Sequence, residues 1–168
     1  PNHPSVALAL IYLGNHLRSY STPPTVEVES VYDRALRILR TSQSLPQLNT
    51  LLNSLATFYG NRGDYVRGEV FAREALDVRR RISGVEHPLT TENMAIVARL
   101  LAGQKRYPEA EAMLRDALAV IERTLGPQHP RIAQLLVPLA AVHASMGCDG
   151  VAESELRRAL AIDEAADR

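Results

Sequence analysis

The chain has 168 residues, 46% hydrophobic and 23% charged, which is enough to bury a core and argues against intrinsic disorder. Its 19 Lys and Arg balance 19 Asp and Glu, which removes the basic excess of a dedicated nucleic-acid binder. The lone cysteine, Cys148, excludes an intrachain disulfide and a cysteine-ligated zinc centre. No apolar run approaches the roughly 20 residues that span a bilayer, and Pro1-Asn2-His3-Pro4 is not a secretory leader. A cytoplasmic-type compartment is the default expectation. The absent initiator methionine suggests a segment of a longer protein.

Internal periodicity organises the rest. Prolines fall at Pro4, Pro46, Pro88 and Pro130, 42 residues apart each time. Three of them follow His3, His87 and His129, and Leu45 takes that place in the second copy. An Ala-Leu pair recurs at Ala35-Leu36, Ala75-Leu76, Ala117-Leu118 and Ala159-Leu160. The first pair sits two residues late, after Ser21-Thr22-Pro23-Pro24, and a shorter connection to Pro46 restores the register. Such compensation at loops is what a stacked repeat tolerates. The repeats span about 4–45, 46–87, 88–129 and 130–168, forming a single array over 1–168.

Each copy predicts two helices, the first opening at its proline, whose missing N–H needs no partner there. Copy one predicts Pro4 to Tyr20 and Val26 to Leu39. Copy two starts at Pro46, with Leu48, Leu51, Leu52, Leu55 and Phe58 on one helical face. It breaks at Arg62-Gly63-Asp64 and resumes from Tyr65 to Ile82, with Val70, Phe71, Ala75, Leu76 and Val78 inward. Copy three predicts Pro88 to Ala102 and Pro108 to Thr124; copy four, Pro130 to Met146 and Val151 to Asp163. No stretch of comparable length reads as a strand. The expected fold is all-α: eight helices in four helix–turn–helix units, stacked as a solenoid. Pro138 interrupts a predicted helix interior, where it clashes with the carbonyl of Gln134, so a kink is expected.

These residues resemble a known family. Leu55-Ala56-x-x-Tyr59 followed by Gly63-Asp64-Tyr65 resembles the tetratricopeptide repeat signature. Val97-Ala98, Tyr107-x-x-Ala110 and Ala117-Leu118 repeat it, as do Leu139-Ala140, Gly147 and Ala159-Leu160. The period, with Leu-Gly-x-x-His-Pro at Leu125 to Pro130, is similar to the kinesin light chain type. The resemblance implies a right-handed superhelix whose first helices line a concave groove that holds a peptide or helix of a partner protein. It also implies a scaffold or adaptor rather than an enzyme. In that type an Asn-Asn-Leu-Ala stretch supplies amides to a peptide backbone. Here the corresponding stretches are Asn53-Ser54-Leu55-Ala56, Ala95-Ile96-Val97-Ala98 and Val137-Pro138-Leu139-Ala140.

Groove candidates carried over on this resemblance are Leu8, Ile11, Asn15 and Arg18, then Thr50, Asn53, Thr57 and Asn61, then Glu92, Ala95 and Arg99, and last Gln134, Val137 and Ala141. An Asn amide both donates and accepts. Arg99 can fork onto a carboxylate, which points to a partner with acidic side chains.

Other residues carry less chemistry. The repeated histidines cannot converge on one metal, because equivalent positions on stacked helices stand about 8–10 Å apart; they read as helix-entry residues, and His143 as an ordinary helix-face residue. No phosphate loop, nucleophile elbow or His-Glu-x-x-His motif is present, so no cofactor, metal or catalytic residue is expected, and no membrane or nucleic-acid partner. Arg79-Arg80-Arg81 reads as a solvated helix end. Leu156, Leu160 and Ile162 on the last helix predict an apolar face left open to more repeats or to self-association. A regulatory or oligomerisation arm of a multidomain enzyme or ATPase is the alternative function.

Overall fold

The structure, a computed structural model, describes residues 3–19 and 25–166. Among these there are eight α-helices and no strand: α1 Pro4–Arg18, α2 Thr25–Ser42, α3 Leu45–Asn61, α4 Tyr65–Ser83, α5 Pro88–Gly103, α6 Tyr107–Leu125, α7 Pro130–Ser145 and α8 Asp149–Ala166. Each predicted helix is present. The expected first-helix end at Tyr20 and the Ser21–Pro24 insertion lie outside the described residues.

The helix starts are built as the sequence implied. His3, His87 and His129 are N-caps in extended conformation. Each Nδ1 accepts the backbone N–H two residues on: Ser5 at 3.2 Å, Leu89 at 3.1 Å and Arg131 at 3.2 Å. This satisfies one of the orphan donors of the first turn. The second copy differs. Ser44 is the N-cap there, α3 starts at Leu45, and the Ser44 hydroxyl donates to the side-chain oxygen of Gln47.

Within the last three repeats, the turns share one geometry. Gly63, Lys105 and Gly147 occupy equivalent places with φ of 80°, 61° and 78°. The next residue's N–H reaches back five residues each time: Asp64 to Tyr59 at 3.0 Å, Arg106 to Leu101 at 3.0 Å, Cys148 to His143 at 2.9 Å. This double-bonded helix end wants a left-handed residue, for which glycine has no Cβ penalty. Lys105 meets that penalty. Lys105→Gly is therefore expected to stabilise the protein by about 0.5–1 kcal/mol, seen as a higher urea midpoint with unchanged slope; an unchanged or lower midpoint would show that the turn carries no strain.

The chain divides into two compact units, Pro1–Ile82 and Ser83–Arg168. In the first, an aromatic chain runs through the core. Tyr32 meets Phe58 edge-on at 6.1 Å, Phe58 meets Tyr59 at 5.2 Å, and Tyr59 stacks on Phe71 at 5.6 Å. The predicted face Leu48, Leu51, Leu52, Leu55 and Phe58 is buried. Val70 is not inward but 62% exposed. The buried positions of α4 run through Gly68, Glu69, Ala72, Ala75 and Leu76. Residue 70 lies two positions from both 68 and 72, on the opposite side of a 3.6-residue helix.

The arginine run is also divided. Arg79 turns inward and donates to Asn49 Oδ1 at 2.7 Å, while Arg80 pairs with Asp77 at 3.5 Å. Only the last two residues of the run are exposed.

The second unit has a mainly aliphatic core around Val97, Leu100, Leu101, Leu114, Ile121 and Ile132. Exposed ion pairs join its outer elements, Arg123 to Glu86 at 2.9 Å and Arg158 to Glu122 at 2.6 Å. α7 runs as one helix through Pro138, which has no N–H to give the Gln134 carbonyl. On α8, Leu156 and Leu160 are exposed, at 47% and 60%. Ile162 departs from the expectation: it is buried, because it shares the inward stripe with Ala152 and Ala159.

Candidate functional site

In the first unit the candidates separate into two groups. Ile11 is buried in the core with Ala7 and Gly14, four and three residues away on the same face; it is not a surface contact. Asn15 and Arg18 are half-buried. The Tyr32 phenol donates to Asn15 Oδ1 at 2.8 Å. Burial pushes the Tyr32 phenol above its usual 10.0, with nearby Arg18 pulling the other way. These two α1 side chains therefore serve a polar cluster with Tyr32. On α3, Thr50 and Asn61 are exposed and Asn53 and Thr57 half-buried. The Thr50 hydroxyl donates to Pro46 O at 3.1 Å, and Asn53 Nδ2 lies 3.4 Å from Asn49 Oδ1.

In the second unit the candidates converge on the seam between α5 and α7. Near the helix starts a cavity of about 280 Å³ is lined by Thr91, Glu92, Ala95 and Ile96 from α5 and by Arg131, Gln134 and Leu135 from α7. Glu92 and Arg131 pair across it at 2.7 Å, so its charge is internally balanced. Towards the helix ends lies a second cavity of about 320 Å³. Ala98, Arg99 and Ala102 form one wall, Pro138, Ala141, Val142 and Ser145 the other, with Tyr107 and Leu114 of α6 behind. Its lining is mostly apolar, and Arg99 is an exposed cation at it. Val137, expected on this surface, is 52% exposed.

His143 departs from the expectation. It is a helix residue, but on the inward face and only 4% exposed. Its Nδ1 lies 2.8 Å from Glu155 Oε2 on α8 and its Nε2 3.3 Å from Glu111 Oε1 on α6. Burial alone would lower its pKa, but hydrogen bonds and charge from Glu155 and Glu111 outweigh that and hold it above the ordinary 6.5. Glu111 is held below its usual 4.5, chiefly by its hydrogen bond to Arg115, then by His143. The repeat register carried the missed signal. Positions 101 and 59, one and two periods back, are the buried Leu101 and Tyr59. In the first unit the same slot pairs Tyr59 with Glu29, 3.3 Å away.

Among the described residues no group of three or more His, Cys, Asp or Glu could hold a metal ion, and no helix is long and apolar enough to cross a membrane.

The fold is similar to that of BtubC (BKLC) from P. vanneervenii, with a TM-score of 0.74 and 23% identity over 84% of this chain. This chain spans 57% of the length of BtubC. It is also similar to a putative kinesin light chain with nearly identical TPR-like repeats from Podosopora anserina. There the TM-score is 0.82 at 19% identity, over 99% of this chain and 79% of the other. A variant structure of that protein gives 0.84 at the same identity and coverage. At these identities the likeness speaks for the fold. Among curated proteins none matches the sequence. The tetratricopeptide repeat family profile matches residues 47–118 and 90–165. That match covers most of the chain and agrees with the helix pairs, their 42-residue register and their shared turns, so the chain belongs to the tetratricopeptide repeat family.

Proposed function

We propose that the protein is an interaction module and that the α5–α7 seam holds an extended segment of a partner protein. The observation that carries this is the placing of Arg99 at an apolar cavity of side-chain size, with a second cavity on the same two helices. An extended strand advances about 3.3 Å per residue, so successive outward side chains can enter such cavities. The apolar cavity takes an aliphatic or aromatic side chain, and the Arg99 guanidinium takes a neighbouring carboxylate. Selectivity for acid is assigned to Arg99 because it stands exposed at the rim of the apolar cavity. Gln134 brings an amide that donates and accepts, and its backbone carbonyl lacks the donor that Pro138 cannot supply. On the first unit, Thr50, Asn53, Thr57 and Asn61 are the corresponding proposed contacts. Asn15 and Arg18 flank them as part of the Tyr32 cluster.

The test is selection from a random-peptide display library, followed by fluorescence anisotropy of the recovered peptides. Arg99→Glu is expected to weaken acidic peptides at least tenfold, which corresponds to about 1.4 kcal/mol, and to flatten their salt dependence. Ala141→Trp, filling the same cavity, is expected to weaken them whatever their charge. Recovered peptides that bind both variants as well as the wild type would place the binding surface elsewhere.

A further inference from the structure

The Glu111–His143–Glu155 cluster serves no part of the proposed peptide site, yet it joins three helices in the least exposed polar position of the second unit's last repeat. A neutral imidazole has one N–H and one bare nitrogen. Here both ring nitrogens face carboxylate oxygens, at 2.8 and 3.3 Å. A neutral ring would satisfy one carboxylate and set a lone pair against the other. Only the doubly protonated ring donates to both.

We propose that Glu111, His143 and Glu155 form a proton-operated latch that pins α8 to α6 and α7, closed while the imidazole holds both protons and released when it gives one up.

The surroundings fit that role. From α6 the groups facing the ring are Glu111 and, behind it, Arg115 at 2.7 Å from Glu111. From α8 it is Glu155. The charged residues of α5, Glu92 and Arg99, stand at the seam cavities, which His143 does not line. With the ring charged, two cations face two anions. With the ring neutral, one carboxylate faces a bare nitrogen of a side chain only 5% exposed, and such an unmatched contact beside a buried ring is costly.

The helix that the latch holds packs against α7 but buries few side chains of its own. The buried residues of α8 are Ala152, Ala159 and Ile162, against eight on α7. A further cross-helix ion pair of α8, Arg158 with Glu122, is exposed and so contributes little. The flanking residues Val142 and Ser145 line the Arg99 cavity, so the latch's state reaches that cavity's wall. The latch itself stands whether or not the cavity takes a peptide.

The direction of the pH effect follows from linkage. His143 is held above 6.5, so its contribution is complete below about 6.5 and is lost as pH rises through the raised value. Glu111 is held below 4.5; its contribution is complete above about 4.5 and is lost as pH falls through the lowered value. The latch is thus closed in mildly acidic solution and opens towards alkaline pH.

Hydrogen exchange of the α8 amides, corrected for intrinsic rates, reads this directly. In the wild type, protection of α8 is expected to fall at least tenfold between about pH 6 and about pH 9, while α5 changes little. His143→Gln, which keeps polarity without a titrating ring, is expected to show low α8 protection at both pH values. Equal protection at both pH values in the wild type, or an unchanged pH dependence in His143→Gln, would overturn the proposal. Should the variant not fold, ¹⁵N spectra of the wild-type imidazole decide. Both nitrogens are expected to be protonated in most molecules at about pH 6.5, and a singly protonated ring there would refute the latch.

Discussion

Gly14→Ala is expected to destabilise the first unit by about 1–3 kcal/mol, the usual range for overpacking a full core. Helix propensity alone argues the other way, since alanine is favoured over glycine in a helix interior by about 1 kcal/mol. The sign is decided by contact. A β-carbon at Gly14 would lie 2.3 Å from Cε1, 2.8 Å from Cδ1 and 2.9 Å from Cζ of Tyr32. The ring has nowhere to move: it is fully buried, its hydroxyl is tied to Asn15, and its edge is set against Phe58. The measurement is the urea midpoint of the variant against wild type. Pairing the change with Tyr32→Leu should recover part of the loss, giving a coupling energy that the contact predicts. A midpoint at or above wild type would mean that α1 and α2 stand further apart than described.

Asn49→Ala is expected to cost about 2–3 kcal/mol. The side chain is 1% exposed and works in both directions. Its Nδ2 donates to the Ala75 carbonyl of α4 at 2.7 Å, and its Oδ1 accepts from Arg79 at 2.7 Å. Arg79 Nε already has no hydrogen-bond partner. Losing Asn49 would strip the half-buried guanidinium of a further acceptor, and a desolvated cation without an acceptor is worse than none. The added change Arg79→Met should therefore restore part of the stability lost in Asn49→Ala, because removing both partners costs less than removing one. A double variant less stable than Asn49→Ala would assign Arg79 a different role.

Much of the architecture was legible because its signals are local and repeat in register. A proline after histidine supplies both a first helical residue and an N-cap, and the three His-Pro caps hold as expected. Glycine at 63 and 147 marked two turns, and the third bends at Lys105 in the same place without the marker. The core leucines of α3 followed from spacing alone. Of the groove residues that the family resemblance implies for the second unit, Glu92, Ala95 and Gln134 line one cavity, and Arg99 and Ala141 the other.

What spacing leaves open is the phase of each side chain and the identity of its neighbour. Val70 and Ile162 exchanged expected sides, and Ile11 went to the core, because one residue of error turns a side chain by about 100° on a helix. Arg79 and His143 read as unremarkable polar residues until their partners are known. Those partners lie 30 residues away for Arg79, and 32 and 12 for His143.

The amino-acid sequence determined where helices start, stop and repeat, since backbone caps, turn glycines and apolar stripes act within a few residues. Only tertiary structure decided which polar groups are buried and what satisfies them. A hydrogen bond across packed helices depends on distances that no local pattern encodes, and in this protein those bonds separate a surface histidine from one buried between two carboxylates.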